Sequence, residues 1–202
     1  MIDKIKYERI AIIGAGGLGS WFSQLLYDFG YNRKQFDYIG TEITIYDSKV
    51  VTDKNLLHQN FTSEELGKKK VDILADRYAF KAVSKYGEEK DLKNFDVVIS
   101  CVDNFPFRNS LYAYGDAHPE LFWIDGRCTS NLGMVFNSKI PAQIRNTWLD
   151  KEDTESGSCL HEWEKEQNIS HAMPIIVASA MMQVFLQAIR GNYVTTEKVF
   201  HI

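Results

Sequence analysis

The sequence predicts an α/β fold of the Rossmann-like type: a doubly wound, mostly parallel sheet with helices on both faces and a long crossover loop before a closing helix. Two observations predict it. Short apolar runs, typical of strands buried on both faces, alternate with longer segments of helical periodicity. The first apolar run also leads directly into a glycine-rich loop and a helix. We therefore expect one domain with a core part (residues 1–137), a crossover loop (138–170), and a closing helix with a terminal strand (171–202).

The first half of the chain is predicted to hold three clear strands and two helices. The strands are short and apolar, at 9–14, 42–46 and 96–101. Apolar residues recur at helical spacing over 18–29 and 64–86, and Gly30 and Gly87 are expected to end these helices. A further, truncated strand is expected between residues 86 and 96.

The second half continues the alternation and then changes character. Pro106 begins a predicted helix that reaches residue 118, and strands are predicted at 122–125 and 134–137. The segment 138–170 is polar and contains an acidic cluster, so we read it as a loop that is either functional or disordered. A buried closing helix at 174–190 and a strand at 199–202 are expected to complete the domain.

Composition limits the partners and the compartment. The formal net charge is −4 and the longest basic block is 68–70, so a nucleic-acid partner is not expected. No apolar segment is long enough to cross a membrane and no signal region is visible, which favours a cytoplasmic protein. The chain has three cysteines, Cys101, Cys128 and Cys159, and no two of them form a C-x-x-C pair. A four-cysteine zinc site within one chain is therefore excluded.

The glycine loop is the first candidate site. Its four glycines follow a strand and open a helix, where the backbone can approach phosphates and the helix N-terminus offers free N–H groups; they are Gly14, Gly16, Gly17 and Gly19. A tight turn that packs a helix on a strand without any ligand has the same pattern. Asp47, at the end of the second strand, is placed to bind ribose hydroxyls, and its alternative is a solvated turn residue. NAD, FAD and ATP all fit such a loop.

Four further blocks follow the glycine loop along the chain. The first block runs from Asp47 to Gln59 and contains Asn55 and His58, and the second runs from Gly67 to Val71 and contains Lys70. The third runs from Cys101 to Asn104, contains Asp103 and is followed by Arg108. The fourth covers residues 126–136. With the glycine loop they resemble, in order, the motifs of the ThiF/MoeB/HesA family of ubiquitin-activating-enzyme-like adenylyltransferases. The sequence also resembles the compact ThiF-like proteins of bacterial mobile-element systems, which carry a Ser-Cys pair before the closing helix, as Ser158 and Cys159 do here.

The resemblance implies an ATP- and Mg²⁺-dependent transferase. Such enzymes activate the C-terminal carboxylate of a small ubiquitin-like or sulfur-carrier protein ending in Gly-Gly, and homodimers are expected. By analogy, Asp47 would hold the ribose, whereas Asn55, Gln59 and Lys70 would contact phosphates. Asp103 would hold Mg²⁺ and, with Lys70, serve catalysis. Lys70 could instead be a solvated lysine and Asp103 a turn residue, and Arg108 either contacts the nucleotide or decorates a helix.

Three departures from the family pattern leave undecided whether this chain is catalytically active. The family arginine of the N-L-x-R-Q motif is His58 here, and histidine is mostly neutral at pH 7. The family's second acid is Lys49, and its zinc-binding cysteines are absent. Cys159 is either a thiol that accepts the acyl group or an ordinary small apolar residue. A non-catalytic ATP- or AMP-binding scaffold is therefore the alternative, followed by an NAD-dependent oxidoreductase.

Overall fold

A computed structural model of the chain describes residues 7–149, 172–193 and 198–201. These residues form one sheet of seven strands together with helices. The strands are β1 (Arg9–Ile13), β2 (Glu42–Tyr46), β3 (Lys81–Val83), β4 (Val97–Ser100), β5 (Phe122–Cys128), β6 (Leu132–Asn137) and β7 (Lys198–His201). The α-helices are α1 (Gly17–Tyr27), α2 (Lys70–Tyr78), α3 (Glu89–Leu92), α4 (Phe105–Ala117), α5 (Ala142–Leu149) and α6 (Met173–Ala188).

The strand order confirms a mostly parallel, doubly wound sheet. It runs β3-β2-β1-β4-β5-β6-β7, with parallel pairing from β3 to β5 and antiparallel pairing of β5 with β6 and of β6 with β7. From β1 the chain moves outward to β2 and β3, and then returns to place β4 on the other side of β1. This reversal leaves a crevice at the carboxyl ends of β1 and β4, where sheets of this kind bind ligands.

Helices cover both faces of the sheet, as the sequence predicts. Side chains alternate along β1, so Ile10 and Ile12 belong to a core shared with α1, α2 and α6, whereas Ala11 and Ile13 belong to a second core shared with α3 and α4. The closing helix α6 lies on the first face and is buried along most of its length, including Val177, Met181 and Phe185, which have no exposed surface.

The predicted helix at 64–86 is wrong in its extent. A short 3₁₀ turn occupies Ser63–Glu65, α2 runs only from Lys70 to Tyr78, and β3 follows at Lys81–Val83. Ala79 adopts a left-handed conformation (φ 56°) and ends the helix. The truncated strand is therefore β3, which lies earlier in the chain than predicted. Gly87 ends no helix; a Cβ at this position would lie 2.7 Å from Ile13 Cγ2, so glycine allows the loop to approach the end of β1.

Two other predictions need correction. Gly30 does not cap α1, because the helix continues into a π-helical turn at Asp28–Asn32 that contains this glycine. The segment 138–170 is not a loop throughout, since it contains α5; its residues 150–170 lie outside the described part of the chain. Within the described ranges, no helix is long and apolar enough to cross a membrane.

Candidate functional site

The glycine loop joins β1 to α1 at the crevice. Gly14 has a φ of +96°, and a Cβ there would lie 2.7 Å from the carbonyl oxygen of Cys101, so only glycine fits between the ends of β1 and β4. Gly16 precedes α1, and a Cβ on Gly16 would meet nothing within 4 Å. Among the described residues, no side chain caps the start of α1. The N–H groups of its first turn are therefore available to an anion.

Asp47 connects the end of β2 to this loop. Its Oδ2 accepts a hydrogen bond from the backbone N–H of Ala15 at 2.8 Å, and its Oδ1 accepts one from the N–H of Lys49 at 2.7 Å. Asp47 is half-buried, and each oxygen keeps a lone pair for a further donor such as a hydroxyl group. The structure thus places the predicted ribose-binding carboxylate beside the glycine loop.

The segment 58–60 is anchored to the first turns of α1. The carbonyl oxygen of His58 accepts a hydrogen bond from Trp21 Nε1 (3.1 Å), and the N–H of Asn60 donates to Ser20 Oγ (3.0 Å). A Cβ at Gly17 would lie 3.4 Å from His58 Cδ2, so the imidazole packs against the start of the helix. The structure therefore brings His58, which replaces the family arginine, to the helix N-terminus where an anion would sit.

Lys70 and Gln59 meet beside the same loop. Lys70 is only 3% exposed, and its Nζ donates a hydrogen bond of 2.9 Å to Gln59 Oε1. Burial lowers the pKa of Lys70 and the nearby Lys49 adds to the decrease, whereas the charges of Asp47 and Asp103 oppose it. A buried lysine with two carboxylates in its electrostatic surroundings is not a solvated surface lysine. This position fits the predicted phosphate contact.

Asn55 has a local structural role. It lies in the 3₁₀ turn Asp53–Leu57, and its Oδ1 accepts hydrogen bonds from the backbone N–H of Thr52 at 2.9 Å and from the Thr52 hydroxyl at 3.2 Å. The carboxamide oxygen therefore caps this turn. This contact leaves the amide nitrogen of the side chain as the group with which Asn55 could reach a phosphate.

Asp103 follows β4 and lines a cleft of about 550 Å³. Its carboxylate is exposed, and Lys49 and Glu89 line the same cleft. The next residue, Asn104, caps α4 because its Oδ1 accepts a hydrogen bond from the N–H of Phe107 at 2.9 Å. Asp103 therefore stands between the end of a strand and the start of a helix, with its side chain open to a ligand.

Magnesium is implied by the resemblance, and the donor set can be compared with its chemistry. No group of three or more His, Cys, Asp or Glu side chains in the described ranges could hold a metal ion by itself. Mg²⁺ is often bound by one or two carboxylates together with substrate phosphates. A single exposed Asp103 near the glycine loop fits a magnesium ion that would be held mainly by a nucleotide.

A buried charged network lies behind Asp103, and sequence reasoning missed most of it. Asp125 on β5 has no exposed surface and accepts hydrogen bonds from Ser100 Oγ (2.6 Å), Tyr112 OH (2.6 Å) and Arg127 Nε (3.0 Å). Burial alone would raise the pKa of Asp125, but the charges of Arg108 and Arg127 and the two hydroxyl groups lower it overall. The signal in the sequence was a pair of charges inside an otherwise apolar strand.

Arg108 belongs to this network. It is 4% exposed, its Nε lies 3.3 Å from Asp125 Oδ1, and its Nη2 donates a hydrogen bond to the carbonyl oxygen of Val102 at 2.6 Å. The guanidinium group is thus buried in the interior and Arg108 is not a solvent-exposed helix residue, whereas its contact with a nucleotide stays a prediction. Cys101 and Cys128 are buried, as predicted, whereas Cys159 lies outside the described residues.

Comparisons with known proteins identify one family by sequence and one fold by structure. The sequence model of the ThiF family matches residues 1–201. Escherichia coli MccB crystallised with ATP superposes with a TM-score of 0.67 at 14% identity, covering 96% of this chain and 60% of that one. MccB crystallised with AMPCPP and MccA gives a TM-score of 0.66 at 14% identity, covering 96% and 63% of the two chains.

A second solved protein has the same fold. PaaA superposes with a TM-score of 0.66 at 13% identity, covering 96% of this chain and 69% of PaaA. Among curated proteins, no sequence matches this chain. The chain spans less than two thirds of the length of these two MccB chains.

Proposed function

The chain belongs to the ThiF family, and from that premise we propose that it binds Mg-ATP at the crevice and transfers AMP to a carboxylate of a peptide or protein partner. One observation carries the proposal. Lys70 contacts Gln59 and lies in the electrostatic field of Asp47 and Asp103, so residues from separate blocks of the sequence converge beside the glycine loop. A nucleoside triphosphate is the ligand that would contact all of these residues.

The proposed nucleotide follows the edge of the sheet. The ribose hydroxyls donate to Asp47, and the triphosphate extends from there toward Asp103. The phosphates pass the open side of Gly16 and meet the N–H groups at the start of α1, whose dipole favours negative charge. Lys70 adds a positive charge on a buried side chain, where its attraction to phosphate is less weakened by solvent than at the surface.

The proposed reaction is a substitution at the α-phosphorus of ATP. An oxygen of the partner's carboxylate forms a bond to this phosphorus while the bond to the bridging oxygen of the β-phosphate breaks. The products are an acyl-adenylate and pyrophosphate, and no net proton transfer is needed. Magnesium, when bound, spreads the charge that develops on pyrophosphate. The chain itself contributes position and charge: Asp103 would hold the metal, while Lys70 and the glycine loop would hold the phosphates.

For the partner, we propose a small ubiquitin-like or sulfur-carrier protein with a Gly-Gly tail, in line with the family resemblance. A peptide acceptor is supported by a different observation, since MccB has been crystallised with MccA. Both acceptors present a terminal carboxylate to the same nucleotide. In either case the proposal keeps Cys159 as the candidate thiol for a later acyl transfer.

A homodimer is part of the proposal. The resemblance supports it, and a second copy could supply the permanent positive charge that His58 lacks compared with arginine. Light scattering after gel filtration at micromolar concentration should give about twice the mass of one chain, which is 23.2 kDa. A monomeric mass at all accessible concentrations would exclude this part of the proposal.

A non-catalytic ATP- or AMP-binding scaffold is the second candidate. The observation in its favour is His58, whose ring packs against the start of α1 where family members carry an arginine. Calorimetry that detects Mg-ATP binding, combined with no turnover for any carboxylate partner, would favour the scaffold. Tighter binding of NADH than of ATP would instead favour an oxidoreductase and contradict both readings.

The experiment that tests the proposal is isotope exchange between ATP and pyrophosphate. We expect exchange that depends on a partner with a free terminal carboxylate, and we expect Asp103→Ala to abolish it. Glu89→Ala is the matched control, because Glu89 is an exposed acid that lines the same cleft. Full exchange in the Asp103→Ala protein would remove Asp103 from the mechanism.

A further inference from the structure

Arg108 and Asp125 together connect the buried interior to the segment that carries Asp103. We propose that Arg108, held by Asp125, is a positioning residue that fixes the Val102–Asp103 peptide and thereby the direction of the Asp103 carboxylate. This inference deepens the proposed function and rests on it for the role of Asp103. It also makes a claim about the fold that can be measured without any ligand.

The segment from Ser100 to Asn104 is held at three points by side-chain hydrogen bonds. On the strand side, Ser100 is the last residue of β4 and donates its hydroxyl hydrogen to Asp125 at 2.6 Å. In the middle, Arg108 donates to the carbonyl oxygen of Val102 at 2.6 Å. On the helix side, Asn104 caps α4. Asp103 is thus the one residue between two restrained neighbours, and its own side chain remains exposed.

Arg108 itself is held in place by its surroundings. Its Nε lies 3.3 Å from Asp125 Oδ1, and its guanidinium lies 5.7 Å from the centre of the Phe105 ring. Asp125 is in turn oriented by Tyr112 and Arg127. A planar guanidinium with several contacts of this kind has little conformational freedom. It therefore holds the loop after β4 in a fixed position relative to β5.

The composition of the network also favours a positional role. A buried ion pair is seldom the most stable way to fill an interior, since apolar groups of similar volume are often as good or better. Here Asp125 has no exposed surface, and apart from Ser100, Gly126 and Arg127 the other residues of β4 and β5 are apolar. The charged cluster lies directly behind the segment with the predicted metal ligand, where accurate geometry matters for binding.

Arg108→Met is the test variant, and Arg145→Met is its matched control. Each arginine is 4% exposed, and Arg145 also packs on Tyr112, with its guanidinium 4.8 Å from the ring centre. Arg145, however, pairs with Asp116 rather than with the segment 101–104. Both variants should therefore lose thermal stability, whereas only Arg108→Met should loosen the segment.

The first measurement is amide hydrogen exchange followed by mass spectrometry on the protein without ligand. We expect exchange in the peptide covering 101–105 to accelerate at least about tenfold in Arg108→Met and to stay unchanged in Arg145→Met. The second is calorimetry of ATP binding with and without Mg²⁺. The factor by which Mg²⁺ tightens binding should fall about 10- to 100-fold in Arg108→Met only.

Arg108→Lys covers the case in which the methionine variant does not fold, because an ammonium group can keep one hydrogen bond to Val102 and should give an intermediate result. Unchanged exchange at 101–105 in a folded Arg108 variant, or equal loosening by Arg145→Met, would overturn the inference. If the wild-type protein does not bind Mg-ATP, the proposed function fails, and the hydrogen exchange comparison still decides whether Arg108 restrains the segment.

Discussion

At the scale of single residues, Lys70 combines a cost in stability with a gain in binding. Its ammonium group is almost fully buried, and burial lowers its pKa. Because the pKa in the folded state lies below the ordinary value of 10.5, the folded protein bears this cost at neutral pH, and the cost declines as the pH rises toward that value. A residue that weakens the empty protein in this way suits a site that awaits phosphate.

We predict that Lys70→Met separates stability from binding. Methionine retains most of the apolar stem and removes the buried charge, so the protein without ligand should be as stable as wild type or more so at pH 7, within about 1 kcal/mol. Any gain should shrink as the pH rises. Affinity for Mg-ATP should fall at least about tenfold, which is typical of a lost hydrogen bond to a charged group. Thermal denaturation and calorimetry measure the two effects, and Lys68→Met, at an exposed lysine nearby, should change neither.

A substitution at His58 is expected to raise the affinity for Mg-ATP, whereas the substitution at Lys70 lowers it. If the missing arginine limits phosphate binding, His58→Arg adds a permanent charge at the start of α1 and should tighten Mg-ATP binding about tenfold. The ring packs beside Gly17, so the larger side chain has to extend along the open side of the loop. Calorimetry on the two proteins decides the matter. Equal or weaker binding by the arginine variant would mean that another group, or a second subunit, already supplies this charge.

At the scale of elements, the loop between β1 and α1 contains glycines of two kinds. Gly14 is required by the fold, because it has a positive φ and closely approaches the backbone of Cys101. Gly16 has a negative φ of −80° and open space where a Cβ would stand. The fold therefore does not explain Gly16, whereas a phosphate that approaches the backbone does.

Alanine substitution at each glycine should distinguish a glycine required for stability from one required for nucleotide binding. Gly16→Ala is expected to leave the melting temperature almost unchanged and to weaken Mg-ATP binding by tenfold or more, since the new methyl group points into the space proposed for phosphate. Gly14→Ala should destabilise the protein itself, by roughly 1–3 kcal/mol for the strained backbone and more for the steric overlap. Normal nucleotide affinity in Gly16→Ala would contradict the proposed path of the phosphates.

The elements also mark what the sequence could predict and what it could not. Most buried strands and the closing helix were predictable, because they coincide with apolar runs in the sequence. The helix α2 was overextended, because Phe80, Ala82 and Val83 continue an apolar pattern that the left-handed Ala79 interrupts. A single residue in that conformation leaves little trace in periodicity, so the strand β3 was predicted too late in the chain.

At the scale of the whole molecule, the site is an assembly of residues that are distant in the chain. Motif order allowed us to predict Asp47, Gln59, Lys70 and Asp103, and the structure places them around one crevice. The network of Ser100, Tyr112, Asp125 and Arg127 could not be predicted in this way. Its members come from different elements, and their pairing depends on the packing of α4 against β4 and β5.

Transfer of AMP to a carboxylate can be tested by comparing one partner in two forms. ATP–pyrophosphate exchange is followed with a peptide or small protein that ends in a free carboxylate, and then with the same molecule as its C-terminal amide. We expect exchange with the carboxylate and none with the amide, because only the carboxylate oxygen can attack the α-phosphorus. Exchange at the same rate with both forms, or with no partner at all, would contradict it.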